Sequence, residues 1–294
     1  MIETAFKQKV IDRLKEAEKA SGLSAKRFST TLGLSQSQWS RLKKGEIDGV
    51  LSDSKFITYG REYGIQMGEH AEWKIVKTAT FQYVHSLLET CYGQKISTIF
   101  VDLADIGKTT TAKYFARNNS NAVYVDCSQV KSKQLFVREI AKKFGSDYTG
   151  KYADVFGDLV YYLNTLPGAM VILDEAGDLK YEAFLELKAL WNATEGNVGW
   201  FMMGAEGLQH LMDRSISYKR VGYSEIFRRY GSRYRKVCPL GGDALSEFKR
   251  DQIAMVAVAN TPEGTDIQKL IKASGQSLTN LSNIIKVSNY NKTA

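Results

Sequence analysis

Short apolar runs alternate with stretches of helical period between residues 96 and 236. ISTIFVD (96–102), NAVYVDC (121–127), GAMVILD (168–174), VGWFMMG (198–204) and YRKVCPL (234–240) predict strands. The third and fourth are continuously apolar, as strands buried on both faces must be. Strands separated by helical stretches predict an α/β core with a central parallel sheet and crossover helices. On either side the pattern changes. Residues 1–65 read as short helices between Gly-containing turns, residues 66–95 as a connector and helix, and residues 237–294 as helical and punctuated by polar positions. The first segment, MIETAFKQKVIDRLKEAEKA, has no apolar centre behind its charges. It reads as an amphipathic helix, and no secretory signal is expected.

Within the first part, GLSAKRFSTTLGLSQSQWSRLKKGE (22–46) fits a repressor-type helix-turn-helix. Ser24 is placed to cap one helix, with Phe28 and Leu32 on its inner face, and Gly33 supplies the turn. Ser35 is placed to cap the next, with Trp39 and Leu42 inward. That leaves Gln36, Ser37, Gln38, Ser40 and Arg41 outward, with Lys43 and Lys44 near phosphates if the partner is DNA. Gln and Arg are suited to bidentate contacts with base edges in the major groove. A small helical module for protein docking would satisfy the same pattern.

Composition narrows the classes. The chain has 294 residues, a formal net charge of +8 and only three cysteines, scattered at Cys91, Cys127 and Cys238. No apolar run approaches the ~20 residues of a membrane span, and the cysteine and histidine spacing predicts no structural zinc site. A cytoplasmic protein with reduced thiols and no membrane partner is expected. Basic charge concentrates in YKRVGYSEIFRRYGSRYRK (218–236), where seven Lys/Arg accompany one acid, Glu225. Lys131, Lys133, Lys142 and Lys143 add a second basic group around one helix, which reads either as a DNA-facing surface of the core or as a solvated face.

The chemistry lies in VDLADIGKTTTAKYF (101–115) and MVILDEAGDL (170–179). A strand, Gly107-Lys108-Thr109 and then a helix is the setting of a phosphate-binding loop. Ile106, Gly107, Lys108, Thr109 and Thr110 would cradle phosphates at the helix N-terminus. Lys108 would reach the β and γ oxygens, and Thr109 would hold Mg2+. Asp174 ends a strand where it can join the magnesium shell, and Glu175 can deprotonate an attacking water. Two acids depart from the pattern. Asp102 stands where the loop has its first glycine, and Asp105 lies inside the loop; both predict weakened nucleotide binding.

With IGKTTTA, an intervening strand and VILDEAGDL in this order, the middle of the chain resembles an AAA+ ATPase of the P-loop NTPase class. The helix-turn-helix ahead of it makes residues 20–285 similar to the group containing phage Mu transposition protein B, Tn7-type C proteins and insertion-sequence helper ATPases. The resemblance implies ATP and Mg2+ as ligands and a small C-terminal helical lid. It also implies assembly as a ring or helical filament on double-stranded DNA, and delivery of that target to a cognate transposase. An arginine finger is implied in EIFRRYGSRYRK, with Arg228, Arg229 and Arg233 as candidates. Ala205 stands where a polar sensor is usual, so Glu206 or nothing serves there, and Asn280 stands about where the lid's arginine is expected. Two other functions share the pattern: a nucleotide-gated helix-turn-helix transcriptional regulator and a loader of replicative helicase.

Overall fold

The structure, a computed structural model, describes residues 2–65 and 73–293, so the start of the expected connector, residues 66–72, lies outside the described residues. Four helices come first: α1 (Thr4–Ser21), α2 (Ala25–Thr31), α3 (Gln36–Lys43) and α4 (Asp53–Tyr63). Their boundaries follow from local chemistry. The Ser24 hydroxyl accepts the Arg27 N–H, and Ser35 and Gln38 form a reciprocal capping box at the start of α3. Val10 and Leu14 of α1, Phe28 and Leu32 around α2, Trp39 and Leu42 of α3 and Phe56 of α4 close on one apolar core of their own. Trp39 is fully buried, and truncating it to alanine would cost about 3–5 kcal/mol.

A linker leads into α5 (Ala79–Gln94), and the strands follow: β1 (Ser97–Val101), then α6 (Lys108–Asn118), β2 (Ala122–Asp126), α7 (Lys133–Lys143) and α8 (Tyr152–Thr165). The chain continues through β3 (Ala169–Asp174), α9 (Tyr181–Ala193), β4 (Val198–Gly204), α10 (Glu206–Ser217), α11 (Tyr223–Arg229) and β5 (Tyr234–Arg235). The sheet is parallel throughout, in the order β2-β3-β4-β1-β5. Every residue of β3 and β4 is buried, which places the two continuous apolar runs at the centre. Helices α5 and α6 cover one face through Leu88 and Phe115 packed with Phe100 and Phe201. Helices α7 to α11 cover the other.

The expected fifth strand, 234–240, is corrected to two residues, Tyr234–Arg235, paired with Ile99 and Phe100. The reason is a competing acceptor. The N–H groups of Val237 and Cys238 turn to the Asp102 carboxylate, at 2.6 and 2.9 Å, and leave the ladder.

Three helices end the chain, α12 (Gly242–Asn260), α13 (Ile267–Ser274) and α14 (Leu278–Thr293), around a small core of Ile253, Ala257, Leu281 and Ile285. Asn260 fixes the linker to α12: its side chain accepts from the Lys74 N–H and donates to the Lys74 C=O. The N-terminal helices are docked on the sheet domain. The Arg27 guanidinium lies 4.3 Å over the Tyr162 ring and donates to its hydroxyl at 3.0 Å. Gly145, at φ +70°, comes so near that a Cβ there would stand 2.7 Å from the Arg27 carbonyl oxygen, so this contact requires glycine. Among the described residues no helix is long and apolar enough to cross a membrane.

Candidate nucleotide site

The loop between β1 and α6 and the end of β3 lie at the carboxyl edge of the sheet, where open parallel sheets bind ligands. Gly107 precedes α6 at φ +96°, in the left-handed region that lets the chain turn from loop into helix. The first helical bond runs from the Thr111 N–H to the Gly107 C=O. The N–H groups of Lys108, Thr109 and Thr110 therefore have no intrahelical acceptor and carry the positive end of the helix dipole.

Lys108 is buried, and its ammonium donates to the carbonyls of Asp102 at 2.9 Å and Leu103 at 2.5 Å. Burial lowers its pKa, against the opposing charges of Asp102, Glu175 and Asp174. Thr109 and Asp174, expected to share a cation, are brought together: the Thr109 hydroxyl donates to Asp174 Oδ2 at 2.7 Å. Asp174 Oδ1 accepts the Glu175 N–H at 2.9 Å. Glu175 has φ +49° and ψ +42°, a left-handed conformation that a non-glycine residue adopts only against a cost. Partial burial and then the charge of Asp174 raise its pKa, with Lys108 opposing.

Tyr124, which the sequence did not single out, belongs here. Its hydroxyl donates to Asp174 Oδ2 at 2.8 Å, so that oxygen accepts from two hydroxyls on different elements. The sequence signal is faint, a tyrosine within an apolar strand, and gains meaning only once β2 is known to lie beside β3. Burial and the Asp174 charge raise the Tyr124 pKa, which keeps it a donor.

The two departures from the loop pattern have partners. Asp102 is 3 % exposed, and its carboxylate accepts N–H groups from Leu103, Val237 and Cys238. Burial would raise its pKa, but the bonds from Cys238, Val237 and Leu103 prevail and hold it below the usual value of 3.8. Asp105, at φ +62°, accepts the Thr279 N–H at 3.0 Å and the Thr279 hydroxyl at 2.6 Å, and it also accepts from the Ser277 hydroxyl. Both acids thus have partners outside the cradle: Asp102 faces the segment after β5, and Asp105 faces the N-terminus of α14.

Beside the loop is a cavity of about 300 Å3 walled by the linker (Trp73 to Val76), the loop (Asp105, Gly107) and α14. That volume lies at the small end of cofactor and ligand pockets. A second hollow of about 370 Å3 lies between α5 and α6, around His85 and Tyr114. It contains none of the phosphate-loop residues.

The other expected positions divide. Ala205 carries no polar group, and Glu206 is exposed in the first turn of α10. The Asn280 side-chain amide turns back to donate to the Ser274 C=O. Of the three arginines, Arg228 and Arg233 are exposed. Arg229 is stacked 4.6 Å over the Trp191 ring, with its Nη1 buried and without a hydrogen-bond partner among the described residues.

On α3, Gln36, Ser37, Ser40, Arg41, Lys43 and Lys44 are exposed. The outward reading of Gln38 is corrected, because its side chain completes the cap of Ser35 and reaches the Val50 C=O. Arg41 pairs with Glu46 at 2.7 Å and Lys43 with Glu18 at 3.1 Å. The four lysines of the core do not form one basic face. Lys131 pairs with Asp178, Lys133 with Glu186, and Lys143 with Glu139 and Glu62. Lys142 reaches toward Gly33, where an added Cβ would stand 3.4 Å from its Cε.

Residues 78–212 match the family described as AAA domain. The match covers less than half of the chain and spans β1, the loop, β3 with Asp174 and Glu175, and β4; this part of the chain is similar to a P-loop ATPase domain of the AAA type. No curated protein matches the chain.

Proposed function

We propose that the chain is an ATP-dependent DNA-binding ATPase that selects target DNA and activates a transposase. The observation that carries the ATPase half is the meeting of Thr109, Asp174 and Glu175 beside uncapped N–H groups of α6. These are hard oxygen donors, and among the described residues no group of three or more His, Cys, Asp or Glu converges. The set suits Mg2+, which takes one or two protein oxygens and completes its shell with phosphate and water. When bound, Mg2+ would neutralise charge on the β and γ phosphates. Lys108 would exchange the loop carbonyls for phosphate oxygens. Glu175, with its raised pKa, would accept the proton of the attacking water.

The DNA half rests on the short-turn pairing of α2 with α3 and on the exposed polar face of α3. The transposase and the multi-subunit assembly rest on the resemblance carried by IGKTTTA, VILDEAGDL and the N-terminal helices. In such an assembly Arg228 or Arg233 of one subunit would serve the site of the next, a role worth about 10³–10⁵ in rate in P-loop GTPases. A cytoplasmic setting goes with this reading. The fixed contact of Arg27 with Tyr162 favours one alternative, a nucleotide-gated regulator in which the core moves the DNA reader as a unit.

Gel-shift and footprinting on duplexes of varied sequence, with and without a non-hydrolysable ATP analogue, separate the two. ATP-dependent coverage of long duplex with little sequence preference is expected, with log affinity falling by about 0.9 per neutralised phosphate for each unit of log salt. A single short footprint abolished by changing Gln36 and Arg41 to alanine would establish the regulator instead.

A further inference from the structure

Asp105 pairs an unfavourable location with favourable contacts. As an anion in a phosphate cradle it repels the ligand, and its φ of +62° is strained for any residue but glycine, with Asp and Asn the best tolerated. Against this, its carboxylate sits on the N-terminus of α14 and accepts from the Thr279 N–H, the Thr279 hydroxyl and the Ser277 hydroxyl. Unpaired N–H groups and the dipole make a helix N-terminus favourable for an anion, and a carboxylate there acts as a cap. The position of α14 matters because Leu278, Thr279, Ser282 and Asn283 form one wall of the cavity whose other walls are the linker and the loop. A Cβ added at Gly107 would stand 3.9 Å from Leu278 Cδ1, so the helix start reaches close to the loop.

We propose that Asp105 is a positioning residue that builds the nucleoside half of the site. By capping α14 it holds the C-terminal helices against the phosphate loop, so that the cavity beside the phosphates has its third wall. The proposal rests on the ATP-site reading. It gives the acid two opposite effects on one ligand: it weakens the hold on phosphate through its charge and strengthens the hold on the nucleoside through α14.

Two substitutions separate these effects. Asp105→Gly removes the charge and the acceptor of the Thr279 N–H while suiting the left-handed backbone, and leaves the Ser277 hydroxyl on the Asn280 N–H. Asp105→Asn removes the charge but keeps an N-cap of comparable quality. Binding of ATP and of inorganic tripolyphosphate is measured by titration for the full-length wild type and both variants. The ratio of the two affinities isolates the nucleoside's contribution, because the phosphates are common to both ligands. Tripolyphosphate should bind both variants as well as or better than the wild type. The ratio should fall about three- to tenfold in Asp105→Gly, the range that loss of a cap allows, and stay within twofold of wild type in Asp105→Asn. Amide exchange over residues 279–282 should accelerate in the glycine variant only. Equal ratios in all three proteins would overturn the proposal, as would an equal fall in both variants. A wild type that binds neither probe would overturn the nucleotide-site reading itself, and the proposal with it.

Discussion

Replacing Asp102 with glycine restores the first glycine of the phosphate-loop pattern, so the sequence alone predicts unchanged or tighter ATP binding. The structure predicts the opposite for stability. The Asp102 carboxylate is buried and accepts two N–H groups from the segment after β5, at 2.6 and 2.9 Å. Hydrogen bonds to a charged group are worth about 1.5–3 kcal/mol each. Val237 and Cys238 are only half-buried, so water can re-enter, and the low end applies: roughly 3 kcal/mol for the pair. At about 2–4 °C per kcal/mol for a domain of this size, Asp102→Gly should lower Tm by roughly 6–12 °C. The sign with pH follows from the depressed pKa. The carboxylate's contribution is full above the ordinary value of 3.8 and is lost as pH falls through the lower folded-state value. Asp102→Asn should therefore flatten the acid limb of stability below about pH 4. Thermal melts at pH 7 and across the acid range, with ATP titrations alongside, measure both. If Asp102→Gly melts within a degree of the wild type and binds ATP more tightly, the carboxylate anchors nothing and the reasoning fails.

Lys108→Ala should abolish ATP binding, measured with labelled nucleotide, because no other cation in the loop faces the phosphates; retention of wild-type affinity would refute the loop's role. Glu175→Gln should bind ATP normally yet release phosphate at least about a hundredfold more slowly, the low end of what a positioned base contributes; equal turnover would remove Glu175 from the chemistry. Tyr124→Phe should raise the Mg2+ concentration needed for half-maximal ATP binding several-fold, since one of the two hydroxyls orienting Asp174 is lost, while ATP binding without Mg2+ stays unchanged. Gly145→Ala should detach the N-terminal helices from α7, seen as faster amide exchange in α2, because its Cβ would meet the Arg27 carbonyl at 2.7 Å; wild-type exchange would show that the contact yields.

What could be read from the sequence was set by chain separation. The caps of α2 and α3 join residues three apart, Ser24 with Arg27 and Ser35 with Gln38, so residue type and spacing suffice. The central strands announce themselves because burial on both faces leaves no polar position. Asp102 and Val237 are 135 residues apart and Asp105 and Thr279 are 174 apart, and no local pattern links them. The lysines on and just before α7 show the same limit: counting charge along this stretch predicts a basic face, but Asp178 and Glu186 arrive from another crossover to neutralise Lys131 and Lys133. Arg229 looked as available as Arg228 until Trp191 covered it. The two acids turn this limit into a physical statement about the loop. Each departs from the phosphate-loop pattern where a backbone N–H of the C-terminal segment needs an acceptor, so the loop holds that segment with the charge that makes it a poorer cradle. A nucleotide that shifts the loop must then strain or carry the helices attached to it, and a movement of those helices must act on nucleotide affinity by the same free energy.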